Sequence, residues 1–247
     1  MQDEEVFSRL RTSTSHTIGV PHLVELLSTM PASATADDFR RAVIEDNVLG
    51  RPTHQGRLRT LRHLREIFQL DASAAPLFRA IREVFDLDAD AVRVCSAIVA
   101  YARDELFRAS WSALKVPIGH GVSSADIEAA VVALFPAAIG KPTTAKVGRN
   151  VGASWTQTGH LVGRTSKKRA RASAGPAAVC FAVAVAYGIG LRGRFIPDSV
   201  WFDLLDVPDD QRMDALLAAH RDGLITVRSA GQVLDIEPGA VSEVAFK

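Results

Sequence analysis

Apolar positions along this chain recur mostly at helical spacing, and the polar residues between them supply starts and stops. Pro21 suits a first helical position, and Leu23, Leu26 and Leu27 make the apolar stripe of a short helix ending near Pro31. Thr35 followed three residues on by Asp38 is a capping box for a helix through Phe39, Ala42 and Val43, closed by Gly50. Within residues 51–70, Leu58, Leu61, Leu64 and Phe68 fall on one helical face, with Arg57, Arg59, Arg62 and Arg65 over the remainder. Ser73 predicts the cap of a helix carrying Leu77, Phe78, Ile81, Val84 and Phe85. Asp88 opens another, in which Val92, Cys95, Ile98, Val99, Leu106 and Phe107 are spread around the helix as in a central buried element. Ser123 and Asp126 form a second capping box, for a helix with Ile127, Val131 and Leu134 that Phe135-Pro136 ends.

The pattern changes after that point. Thr143 or Thr144 is placed to cap a helix running to about Thr158, with Gly159 as its terminator. Val147, Val151 and Trp155 fall within about 80° of one another around its axis and predict the inward face. Lys146, Arg149, Asn150, Ala153 and Gln157 share an arc of about 100° on the far side. Gly148 and Gly152 weaken this helix by roughly 1 kcal/mol each relative to Ala, and allow a close approach by a neighbouring helix. Residues 160–172 then alternate short apolar and basic positions, which predicts a β-hairpin. Helix, glycine and hairpin together are the outline of a winged helix-turn-helix.

The outline recurs near the C-terminus. Pro208 starts a helix with Met213, Leu216, Leu217 and His220 on its inner face, Gly223 ends it, and LITVRSAGQVLDIE reads as two strands around an Ala-Gly turn. The expected fold is therefore mainly α, a multi-helix protein with winged-helix-like β-hairpins in its C-terminal half. VPIGHGV, residues 116–122, is the expected boundary between an N-terminal helical domain (1–120) holding the Arg-rich helix and a C-terminal winged-helix-like domain (121–247) holding the basic hairpin.

Charge gives this layout a direction. Residues 141–171 hold eight Lys and Arg and no Asp or Glu, and no carboxylate side chain occurs between Glu128 and Asp198. The whole chain carries only +1, so a strongly cationic segment sits within an otherwise acidic protein. A solvated surface run is the plain alternative, but such runs usually mix signs. No acid occurs between Asp46 and Glu66 either, so the Arg-rich helix is a second basic patch, suited equally to phosphate or to solvent. The second copy of the helix–hairpin unit is acidic in its first turn, which suits packing or protein contact rather than DNA.

Several chemistries are disfavoured. Cys95 and Cys180 sit among Ala, Val and Ile and read as core thiols, and the seven His are dispersed without ligand spacing. The acids around DLDAD miss the glycine and the twelfth-position Glu of a calcium loop. GIGLRG at 188–193 matches a dinucleotide fingerprint literally but follows a helical pattern rather than a strand, so its glycines read as a helix end. The twenty uncharged residues from Ala172 to Leu191 are long enough to span a bilayer. They are Ala-rich, contain Pro176 and three glycines, and are flanked by Arg on both sides, so a buried core helix is expected and no membrane insertion. The acidic start, MQDEE, leads into no apolar run, and a reducing cytoplasm is the expected compartment. No catalytic residue, metal ligand or cofactor is expected, and the chain reads as a non-enzyme.

The run NVLGRPTHQGRLRTLRHLREIFQLD, then PLFRAIREVF, then TAKVGRNVGASWTQTGHLVGR with a basic wing and a PAAV helix, resembles BrxA-type proteins of bacterial BREX phage-defence systems over roughly residues 10–237. The resemblance implies a mostly helical, cytoplasmic, non-enzymatic protein that binds DNA within a multi-protein defence system. From the charge pattern itself, the expected partner is double-stranded DNA. The expected contacts are Lys141, Lys146, Arg149, Asn150 and Gln157 on the reading helix, Arg164, Lys167, Lys168, Arg169 and Arg171 on the wing, and Arg57, Arg59 and Arg62 on the Arg-rich helix. The alternative is a scaffold whose basic face docks an acidic protein partner or RNA.

Overall fold

The computed structural model describes residue 7 and residues 10–136, 141–231 and 233–241. α1 (Val20–Thr29) carries Pro21 in its first turn, and α2 (Ala36–Ile44) closes the predicted capping box, with the Thr35 N–H donating to Asp38 Oδ2 at 2.9 Å. α3 (His54–Phe68) is capped by the Thr53 hydroxyl, which accepts from the Gly56 N–H. Its Leu61, Leu64 and Phe68 are buried, while Leu58 stays 40% exposed on a groove against α2. α4 (Pro76–Leu87) begins on its proline rather than on Ser73, whose hydroxyl is turned to Asp71.

α5 (Ala91–Arg103) is buried around most of its circumference but does not run on through Phe107. Asp104 breaks it. This fully buried carboxylate caps α6 (Glu105–Ala109), its Oδ1 accepting from the Leu106 and Phe107 N–H groups at 2.9 and 3.0 Å. Its Oδ2 accepts from the Thr12 hydroxyl at 2.6 Å and the Ser13 N–H at 2.8 Å. Four donors offset the cost of burying the charge and pin the N-terminal strap, residues 10–19, to the core.

α7 (Ser124–Leu134) opens with the second capping box, and α8 (Lys141–Gln157) packs against it. Thr144 lies inside α8 rather than at its cap, and its hydroxyl bonds Glu128 of α7. β1 (Leu161–Val162) and β2 (Lys168–Arg169) form the first hairpin, antiparallel with Leu161 opposite Arg169. The expected boundary segment runs along the other edge of β2. Gly119 N–H donates to Arg169 O, Arg169 N–H to His120 O and Val122 N–H to Lys167 O, all within 2.8–2.9 Å.

α9 (Pro176–Gly188) is buried from Ala177 to Ala186, and Gly190, at φ +92°, follows its end. No helix among the described residues is long and apolar enough to cross a membrane. α10 (Val200–Asp203) and α11 (Arg212–Arg221) lead into the second hairpin, β3 (Ile225–Ala230) and β4 (Val233–Pro238). The inner face of α11 is Leu216 and Ala219; Met213, Leu217 and His220 are exposed, contrary to the periodicity. The fold is thus mainly helical, with two small antiparallel hairpins in its C-terminal half in a winged-helix-like arrangement. α9 packs on α4 and α5 as well as on α10, α11 and β4, and one hydrophobic cluster draws residues from both halves.

Candidate nucleic-acid interface

α8 is positioned by its apolar stripe. Val147, Val151 and Trp155 are fully buried, and Trp155 stacks on Phe107 with ring centroids 4.0 Å apart while its Nε1–H donates to Ser110 Oγ at 2.8 Å. The two glycines let α7 come close. A Cβ on Gly148 would stand 2.3 Å from the Ser124 carbonyl oxygen, and one on Gly152 would stand 3.1 Å from Ile127 Cδ1. The weakening of the helix is thus exchanged for contact with α7.

This packing turns Lys146 and Arg149 outward, and the following hairpin adds Arg164, Lys168 and Arg171. All five are exposed, and their side chains make no ion pair or hydrogen bond among the described residues. Arg149 and Arg164 both line a groove of about 410 Å³, together with Ser124, Gly148, Gly152 and Lys167. Lys167 closes the hairpin loop. Its ammonium donates to Thr156 Oγ1 at 3.1 Å and to the Gly163 and Arg164 carbonyls at 3.2 Å, and partial burial lowers its pKa.

Four other expected contacts are committed inside the protein. Asn150 Nδ2 donates to the Ser13 carbonyl at 3.0 Å. Gln157 Oε1 accepts from the Gly19 and Val20 N–H groups at 3.2 and 3.1 Å, at the start of α1, and its Nε2 donates to Thr17 Oγ1. The strap therefore bonds Asn150 Nδ2 and both polar atoms of the Gln157 amide, and both residues are half-buried. Arg57 Nη1 donates to the Ile44 carbonyl at 2.8 Å and joins α3 to the end of α2. Arg169 is buried, bonded through Nη2 to Asp206 Oδ1 at 2.6 Å, through Nη1 to Oδ2 at 2.9 Å, and through Nε to the Leu114 carbonyl at 2.9 Å. In a hairpin two residues wide, adjacent positions point to opposite faces, so Lys168 is exposed and Arg169 is not. The side chain of Lys141 lies outside the described residues.

The two basic stretches, far apart in sequence, meet at His16 on the strap. Burial lowers the pKa of this imidazole most, followed by the charges of His63, Arg59, Lys146 and Arg62. Arg59 is exposed and makes no ion pair among the described residues, and Arg62 pairs with the Glu66 carboxylate at 4.0 Å. The assembled surface is therefore a band of cations: Arg59 and Arg62 from α3, Lys146 and Arg149 from α8, and Arg164 from the hairpin loop. His16 carries no periodic or motif signal in the sequence, and only its tertiary neighbours mark it. The chain matches no protein-family model, and no curated protein matches it.

Proposed function

We propose that this protein binds duplex DNA without catalysing a reaction on it, as an accessory protein of a bacterial phage-defence system of the BREX type, in the cytoplasm. The observation that carries the reading is the set of exposed cations on α3, α8 and the first hairpin, of which Arg59, Lys146, Arg149 and Arg164 make no side-chain ion pair among the described residues. Phosphate contacts need cations that are solvated and not already neutralised, because each one that meets a phosphate releases a condensed counterion. Arg149 and Arg164 flank the α7–α8 groove, and Lys146 and Arg59 extend the band toward α3. With Asn150 and Gln157 held by the strap, recognition rests on backbone contact rather than on base edges. The test is fluorescence anisotropy with a duplex of about 20 base pairs at about 50 mM salt, comparing wild type with Arg149→Ala/Arg164→Ala/Lys168→Ala. A loss of ten-fold or more in affinity, with an unchanged melting temperature, is expected; equal affinity, or no binding by wild type, refutes the reading.

One observation favours a second reading. A groove of about 800 Å³ between α2 and α3 is lined by the apolar Ile44, Leu58 and Leu61 and by Arg40, Arg59, Arg62 and Arg65, four cations against the one carboxylate of Glu66. Such a groove suits an acidic amphipathic protein segment. Co-purification of an acidic partner that salt releases, with no binding to DNA, would establish this scaffold role instead.

A further inference from the structure

Below the cationic band, the strap and α3 enclose a separate pocket of about 290 Å³ whose walls include Thr12, Thr14, His16, Arg59, Arg62 and His63. His63 is only 6% exposed. Its Nε2 is bonded to the Thr17 carbonyl, which makes Nε2 the protonated nitrogen of the neutral ring and leaves Nδ1 as a lone-pair acceptor. That Nδ1 is buried and makes no hydrogen bond among the described residues. The His16 ring lies against it, with centroids 4.9 Å apart. The pocket thus pairs two cations with a buried acceptor that lacks a donor, a combination that a plain anion does not satisfy.

We propose that this pocket binds a phosphate monoester, with Arg59 and Arg62 holding its ionised oxygens and its protonated oxygen donating to His63 Nδ1. A monoester has the required parts, because its second ionisation lies near pH 6 and it carries both charge and a P–OH around neutrality. A backbone diester has one charge and no P–OH, and sulfate has no proton at these pH values, so each leaves Nδ1 unsatisfied. A monoester dianion carries no P–OH, so its entry with the same bond takes up one proton from solvent, held between a phosphate oxygen and His63 Nδ1. The groups facing the two rings are Asp104 behind His63, His22 of α1, Arg59 and Arg62 of α3, and Lys146 of α8. Arg11 and Glu66 also line the pocket, Arg11 paired with Glu105 and Glu66 standing 4.0 Å from the Arg62 guanidinium. In the free protein burial first, and the neighbouring cations after it, lower the pKa of both imidazoles and so favour the neutral form that presents an acceptor.

The site goes beyond duplex binding and is read without a duplex, so failure of either reading leaves the other standing. Titration of the full chain with inorganic phosphate and with sulfate at about pH 6.5, by calorimetry and histidine-ring carbon–proton spectra, tests it. Phosphate is expected to shift the His16 and His63 ring signals and to bind roughly ten-fold or more tightly than sulfate. Arg59→Ala, a surface change, is expected to weaken phosphate about ten-fold. His63→Gln keeps a donor for the Thr17 carbonyl and removes the Nδ1 acceptor, so it is expected to abolish the preference over sulfate. A short duplex with and without a 5′-phosphate then identifies the source. Tighter binding of the phosphorylated end points to nucleic-acid termini; equal binding, with the phosphate response retained, points to a small monoester. Both outcomes uphold the site. Equal response to sulfate and phosphate, or ring signals that phosphate does not move, overturns it.

Discussion

Replacing Asp206 by Asn tests whether the first hairpin is held by a buried charge pair. Asp206 sits at φ +62°, a left-handed conformation that Asn tolerates far better than Ala, so the substitution removes charge without adding backbone strain. Arg169 is 5% exposed and takes both of its terminal nitrogens to this carboxylate, which also accepts from the Ala172 N–H at 3.0 Å. Asp206→Asn leaves a buried guanidinium facing only neutral acceptors, and breaking a buried pair in this way costs about 3–5 kcal/mol. In a chain of this length each kcal/mol moves the melting temperature by roughly 2–4 °C, so a fall of about 10 °C is expected. Adding Arg169→Met to Asp206→Asn removes the stranded charge and should recover part of that loss. Lys168→Ala, one residue away but exposed, should stay within about 0.5 kcal/mol of wild type. Calorimetric melting of the three variants beside wild type decides the matter. A loss below about 1 kcal/mol in Asp206→Asn, or an equal loss in Lys168→Ala, refutes the anchoring role.

Two further outcomes follow from the same geometry. Gly148→Ala raises helix propensity by about 1 kcal/mol, yet its Cβ would meet the Ser124 carbonyl, so urea titration should show a net destabilisation of about 2 kcal/mol; any stabilisation contradicts the α7–α8 contact. His160 is fully buried between Trp111 and Trp155, and burial lowers its pKa from 6.5 to about 4. The unfolded chain takes up this proton near pH 6.5 and the folded one only near pH 4, so stability should fall by up to about 3 kcal/mol as pH drops through that window. Urea midpoints at pH 7 and pH 4.5 measure it, and an unchanged slope in His160→Gln would contradict the assignment.

The sequence made local features legible and long-range ones invisible. Both capping boxes, the inward stripe Val147–Val151–Trp155, the buried α9 and the second hairpin are properties of neighbouring residues, and each is found where the pattern predicts it. The break at Asp104 was hidden because its cause is the strap, whose Thr12 and Ser13 lie some ninety positions away. For the same reason Asn150 and Gln157 looked like solvent-facing amides on a helix, whereas residues 13–20 cover them. Charge density marked the hairpin correctly as a cationic unit but could not separate Lys168 from Arg169, since the distinction depends on Asp206 across the core. On α11 the periodicity puts Met213, Leu216, Leu217 and His220 inward, but of these only Leu216 is buried, because Met213 and Leu217 are apolar yet exposed.

The central claim is that solvated cations of α3, α8 and the first hairpin meet phosphate. Its most direct measurement is duplex affinity as a function of salt between about 50 and 200 mM. Four to six contacts predict a slope of roughly −4 to −5 in log affinity against log salt, falling by close to 3 in Arg149→Ala/Arg164→Ala/Lys168→Ala. A slope near zero in wild type, or one that the triple substitution leaves unchanged, contradicts the account.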